Sequence, residues 1–194
     1  MKKPWHLLAL AGAMLVVAVP AQATLIFHAT LRGSNETPPN ASPATGTALV
    51  TLESDNKTLD VHETFSGLIG GNASAAHIHC CAPIGTNAGV ATAVPTLPGF
   101  PVGVTSGTFD QTFDLTNSAF YNPAFVTANG GSVAKAEATL ITGIEDGQTY
   151  FNIHTTDFPG GEIRSQLFEV PEPASLALLG SALFGFGLIR RRRS

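Results

Sequence analysis

A mainly β, antiparallel domain of the β-sandwich or Greek-key kind, with one short helix, is the fold class predicted for the central part of this 194-residue chain. Three observations predict it. Apolar and polar residues alternate with period two in a series of short segments. Glycine and proline clusters (Pro38-Pro39, Gly70-Gly71, Pro98 to Pro101, Gly130-Gly131, Gly160-Gly161) separate those segments, and a single stretch carries helical spacing instead.

The elements follow in order. Thr24 to Arg32 alternates, with Phe27, Ala29 and Leu31 on one side and His28, Thr30 and Arg32 on the other, the period of a half-buried strand. Thr47 to Glu53 repeats the pattern, and Thr58 to Phe65 follows the turn Ser54-Asp55-Asn56-Lys57. Further strands are expected at Ala75–His79, Gly89–Val94, Thr105–Leu115, Tyr150–Thr155 and Glu162–Phe168. Between Ser132 and Ile144 the apolar positions Val133, Ala136, Leu140, Ile141 and Ile144 recur at helical spacing among alanines, which predicts the short helix.

Both ends of the chain read as addresses. Lys2 and Lys3, the apolar run Leu7 to Val19 and the small-residue site Ala21-Gln22-Ala23 have the layout of a secretory signal peptide spanning 1–23, with cleavage expected after Ala23. The segment 170–194 opens with Pro171-Glu172-Pro173, continues as an apolar tract over 174–189 and closes with Arg190 to Arg193. The prolines stop a strand and mark a linker. The tract would be about 24 Å long as a helix, enough to span a membrane with arginine snorkelling and local thinning. Its arginine patch would stay cytoplasmic and put the preceding domain on the far side, the topology that the signal peptide also requires.

The middle segment, 24–169, is expected to be one domain. From Thr24 to Val170 it holds four basic residues (Arg32, Lys57, Lys135, Arg164) against thirteen acidic ones. That balance excludes a nucleic-acid reader, which needs clustered lysine and arginine to neutralise phosphates.

The chemistry-bearing residues gather in two segments. In Ala75-Ala76-His77-Ile78-His79-Cys80-Cys81 the two histidines share one face of a strand, because side chains alternate. The second segment, Tyr150 to Thr155, supplies His154 and is followed by Pro159-Gly160-Gly161-Glu162-Ile163-Arg164. His77, His79 and His154 together make the three-donor set of open zinc and copper sites, with Cys80 and Glu162 as extra ligand candidates beside His28, His62 and Glu36. The competing reading is structural: His154, Glu162 and Arg164 would form a polar clasp between the last strands. No G-x-S-x-G elbow, phosphate loop or H-E-x-x-H motif is present, and no carboxylate pair stands out.

Two resemblances rest on these residues. Pro171-Glu172-Pro173, the short apolar tract and the arginine patch resemble the PEP-CTERM sorting signal of Gram-negative bacteria. That resemblance implies an exosortase-type protease as partner, cleavage near Val170 to Ala174, tethering to the inner membrane facing the periplasm before processing, and a final place at the cell surface or outside the cell, in organisms that make exopolysaccharide. The order Phe27-x-Ala29-x-Leu31-x-Gly33-x-Asn35-Glu36-x-Pro38-Pro39, Phe65-x-Gly67-Leu68, Ala75-Ala76-His77-Ile78-His79, Tyr150-x-Asn152-Ile153-His154-Thr155 and Pro159-Gly160-Gly161-Glu162-Ile163-Arg164 resembles the CHRD domain named for chordin. This resemblance implies an extracellular β-sandwich-like module and carries no catalytic residues with it. Two positions depart from the pattern: Cys80-Cys81 stands where a small residue usually follows the histidine pair, and Ser165 stands where glycine usually follows the arginine. The cysteines leave open a vicinal disulfide, an intermolecular bridge, buried thiols, or thiolate ligands beside the histidines.

The functional expectation placed first is a non-enzymatic exported module that needs no cofactor and binds a matrix polysaccharide or a surface protein. The alternative is a copper- or zinc-binding module, with superoxide-dismutase-like redox activity as its furthest extension, an analogy at the level of fold.

Overall fold

The computed structural model describes residues 23–171. The signal segment up to Gln22, and Glu172 to Ser194 with the apolar tract and arginine patch, lie outside the described residues. Among the described residues no helix is long and apolar enough to cross a membrane.

Eight strands form one antiparallel sheet: β1 (Leu25–Arg32), β2 (Thr45–Leu52), β3 (Thr58–Ser66), β4 (Ala73–His79), β5 (Gly107–Asp114), β6 (Tyr150–Thr155), β7 (Ile163–Gln166) and β8 (Phe168–Glu169). Their order across the sheet is β4-β6-β7-β1-β2-β3-β5, with β8 paired to the start of β1. The expected two-sheet sandwich is thus replaced by a single curled sheet, each strand hydrogen-bonded to the next. The curl brings the outer strands together at one end, where Ala73 N–H donates to Val104 O (2.8 Å) and Gly103 N–H donates to Ala73 O (2.8 Å). Backbone groups left over at the start of β4 are satisfied in this way by the stretch that leads into β5.

The period-two pattern decides which side of the sheet is core. Phe27, Ala29 and Leu31 of β1, Ala48, Val50 and Leu52 of β2, and Leu59 and Val61 of β3 are all buried, while the residues between them face outward. Ile78 of β4, Phe151 and Ile153 of β6 and Ile163 of β7 continue the same apolar cluster.

Helix α2 (Val133–Glu145) forms where helical spacing predicts it and buries Ala136, Leu140, Gly143 and Ile144 as one stripe. It ends at Gly147, whose φ of +66° is a conformation glycine adopts readily. A second helix, α1 (Pro123–Ala128), was not expected, although its signal is local: the Asn122 side chain accepts from Ala124 N–H and proline occupies the first turn. The strand expected at Gly89–Val94 is absent. Only isolated bridges, His79 with Val90 and Thr92 with Tyr121, remain of it. This stretch runs as a loop over the sheet, and carbonyls at either end of it accept from histidine side chains instead of joining a ladder. The last expected strand is split at Leu167, which turns wholly into the core while its N–H donates to Thr149 O (3.0 Å).

Candidate functional site

Strands β4, β6 and β7 differ from the rest of the sheet in being buried on both faces. One face belongs to the core. The other carries His77 and His79 from β4, Tyr150, Asn152 and His154 from β6, and Arg164 and Gln166 from β7, brought side by side by the pairing of His77 with Asn152, His79 with Tyr150 and Asn152 with Arg164. Three loops cover this polar face. They contain the segment after β1 with Asn35, Glu36 and Thr37, the segment from Asn87 to Pro95, and the turn at Pro159.

The three histidines predicted as ligands converge. One ring nitrogen from each lies within 4.8 Å of the other two, and the ring centroids are 5.1 to 5.9 Å apart. The remaining nitrogen of each ring faces a backbone carbonyl: His77 Nε2 at 2.9 Å from Pro95 O, His79 Nδ1 at 2.9 Å from Ala88 O, and His154 Nδ1 at 3.0 Å from Pro159 O. A carbonyl can only accept, so each of these nitrogens carries the proton. The opposite nitrogens, His77 Nδ1, His79 Nε2 and His154 Nε2, are buried without a hydrogen-bond partner among the described residues.

Electrostatics keeps those lone pairs free. Burial, reinforced by His154, lowers the His77 pKa to about 4 against the opposing pull of Pro95 O. Burial likewise takes His79 down to about 4 and lowers His154. The rings are therefore neutral at neutral pH, the form that binds metal. A metal bound at 2.0–2.1 Å to three imidazoles needs donor atoms about 3.3 Å apart, which an inward movement of roughly 0.9 Å or less per ring supplies. The donor set and its carbonyl backing fit zinc or copper.

The surroundings hold the rings in place. Tyr150 stacks on His79 with centroids 4.6 Å apart, and Arg164 lies 4.5 Å over the Tyr150 ring. Arg164 Nε donates to Asn35 O (2.8 Å), one terminal nitrogen donates to Asn87 Oδ1 (2.6 Å), and the other bonds Thr37 Oγ1. Two covering loops are thereby tied to β7. Glu36, 3.8 Å from Arg164 Nε, accepts from Asn152 Nδ2 at 2.9 Å. Its burial pushes the carboxyl up to about 7, in spite of Arg164 and Asn152, which pull it down.

The other ligand candidates lie elsewhere. Glu162 is wholly buried and its carboxylate accepts from Ser42 Oγ (2.7 Å), Ile69 N (2.8 Å), Gly70 N (3.0 Å) and Thr155 Oγ1 (2.7 Å). Burial pushes this carboxyl up, but those donors outweigh it and hold the pKa below the usual range. Glu162 is a brace between loops and does not join the histidines. The expected clasp of His154, Glu162 and Arg164 is absent too, since each has separate partners. Cys80 also drops out as a ligand. Alternation turns it to the core side, and it is joined to Cys81 in a disulfide packed against α2, where a Cβ on Gly143 would come within 2.6 Å of either sulfur. His28 is exposed on β1, and His62 pairs with Asp110 at 3.5 Å on the outer face of β3.

Sequence reasoning passed over Asn152 and Asn87. The alternation Tyr150-x-Asn152-x-His154 already put Asn152 on the histidine face, whereas nothing local connects Asn87 to Arg164.

By fold and site, this is an antiparallel β domain with a buried cluster of three neutral histidines under a loop cover. The family model of the CHRD domain matches residues 27–167, most of the chain, and the chain belongs to that family. The PEP-CTERM protein-sorting motif matches residues 169–193, the mark of an exported protein sorted at the cell surface by an exosortase-type system. No curated protein and no solved structure matches the chain.

Proposed function

We propose that this exosortase-sorted CHRD protein is an exported, non-enzymatic module that holds one copper or zinc ion on His77 Nδ1, His79 Nε2 and His154 Nε2. One observation carries the reading: three histidines whose ligand atoms gather within 4.8 Å each keep one buried ring nitrogen without a partner among the described residues, while the sister nitrogen is fixed by a backbone carbonyl. A purely structural histidine has no use for an unsatisfied buried acceptor, and three such acceptors in one place would be paid for three times over. The acidic balance of the domain favours a cation as partner. The test is elemental mass spectrometry on the exported protein, purified without a histidine tag, beside a His77→Ala/His79→Ala variant. Near-stoichiometric copper or zinc in the parent and none in the folded variant is the expected result. Equal substoichiometric metal in both would return the histidines to a structural role. Superoxide turnover by the copper-loaded parent, lost in His77→Ala, would move the reading from binding module to redox enzyme.

A second reading, docking of a matrix polysaccharide or a surface protein, draws on a cleft of 550 Å³ between the loop after β1, the turn at Ile84-Gly85 and strands β7 and β8. Polar Asn35, Thr37 and Gln166 line it beside Ile84 and Phe168, apolar residues that are 67 % and 52 % exposed. Retention of the parent, but not of Phe168→Ser, on the exopolysaccharide of the producing cell would support that reading. Equal elution of both would remove it.

A further inference from the structure

Asn152 is the polar group on the histidine face that three metal ligands leave unexplained. It stands between Tyr150 and His154 on β6, in register with His77 on one side and Arg164 on the other, and is 1 % exposed. Its Nδ2 donates to Glu36 Oε1, and Glu36 lies on the β7 side, beside Arg164. The amide oxygen is the other end of the same group, on the residue paired directly with His77, and Oδ1 is buried without a donor among the described residues. Gly161 packs over this amide: a Cβ at that position would lie 2.5 Å from both amide atoms and 2.7 Å from Glu36 Oε1, and its φ of +126° belongs to glycine. An isolated buried amide oxygen is costly, and a donor that arrives with a ligand removes the cost.

The histidine cluster offers three ligand atoms, and no further His, Cys, Asp or Glu among the described residues joins it. Three-ligand sites keep a position for a ligand from solution.

We infer that this position takes a small protic oxygen ligand, water or hydroxide, whose O–H donates to Asn152 Oδ1, with Glu36 fixing the direction of the amide. The inference rests on the three-histidine metal reading. Asn152 is then a positioning residue for the exogenous ligand, and Glu36 acts through Asn152. An anion without a proton to donate enters the position at a disadvantage, because it displaces a hydrogen-bonded water and meets an amide lone pair.

The probe is azide, titrated into the copper(II)-loaded protein and followed by its absorption band and by electron paramagnetic resonance. Metal content and a thermal melt are measured on the same samples. In Asn152→Ala the expected result is unchanged copper stoichiometry with azide bound about fivefold more tightly, the equivalent of one neutral hydrogen bond. Asn152→Leu, close to the native volume, serves in its place if the alanine variant fails to fold. Equal azide affinity in parent and variant, each holding one copper, overturns the inference and leaves the metal reading standing. A folded parent that binds no copper or zinc removes both.

Discussion

Arg32 and Arg164 are direct partners across β1 and β7, yet one is exposed and the other is 4 % exposed. That contrast runs through the whole sheet. In β1, β2, β3 and β5 one face makes the core and the other meets water, so polar side chains there need no partners. In β4, β6 and β7 the second face is covered without becoming apolar, and each polar group under the cover must find a protein partner or wait for a ligand. The two halves also differ in their unsatisfied groups. Glu63 on β3 is alone, a buried carboxyl on the core face with both oxygens unpaired among the described residues. The unpaired nitrogens of His77, His79 and His154 belong instead to three rings gathered in one cluster. A solitary orphan is a cost to the fold, whereas orphans gathered in one cluster mark the candidate site.

The arginine pair gives the largest expected effect and its own control. Arg164→Ala removes three hydrogen bonds to the covering loops and leaves Glu36 without its cation, so it should destabilise by about 3–5 kcal/mol in a urea melt. Arg32→Ala, one strand away on the solvated face, should stay within about 0.5 kcal/mol. Similar losses at both positions would erase the distinction between the halves.

Glu63 tests the meaning of an isolated orphan. Burial raises its pKa well above the usual value of 4.5, so the folded state keeps a proton that the unfolded chain releases. Stability from this group is complete below pH 4.5 and is lost as pH rises toward the folded pKa, by up to about 1.4 kcal/mol per pH unit. Glu63→Gln cannot ionise, so its melting temperature relative to the parent should climb between pH 4.5 and pH 8. A difference that does not vary with pH would place the carboxyl in water or beside an unseen donor.

Much of this was legible in the chain itself, for local reasons. Alternation placed β1, β2, β3 and β6 and put His77 beside His79, and helical spacing marked α2. Asn122-Pro123 carried the signal for α1 as clearly, but six residues make too short a period to stand out. Pairing is not local: no pattern in β3, β4 or β5 says that β4 and β5 lie at opposite edges of one curled sheet instead of in two stacked ones. Gly89–Val94 read as a strand because Val90 and Val94 alternate with small residues, yet its surroundings direct Ala88 O and Pro95 O to histidines. The protonated nitrogen of each ring depends on those same carbonyls and on Pro159 O, drawn from distant loops, and so could not be read from the spacing of the histidines.

That nitrogen pattern is the most direct test of the central claim. Long-range proton–nitrogen NMR of the ¹⁵N-labelled protein, recorded before and after one equivalent of zinc, identifies the coordinating atom of each histidine. Zinc should shift Nδ1 of His77 and Nε2 of both His79 and His154, leaving the carbonyl-bonded nitrogens protonated and the rings of His28 and His62 unchanged. Ring nitrogens of His77, His79 and His154 that stay where they were, or coordination through the nitrogens now bonded to Pro95, Ala88 and Pro159, would contradict it.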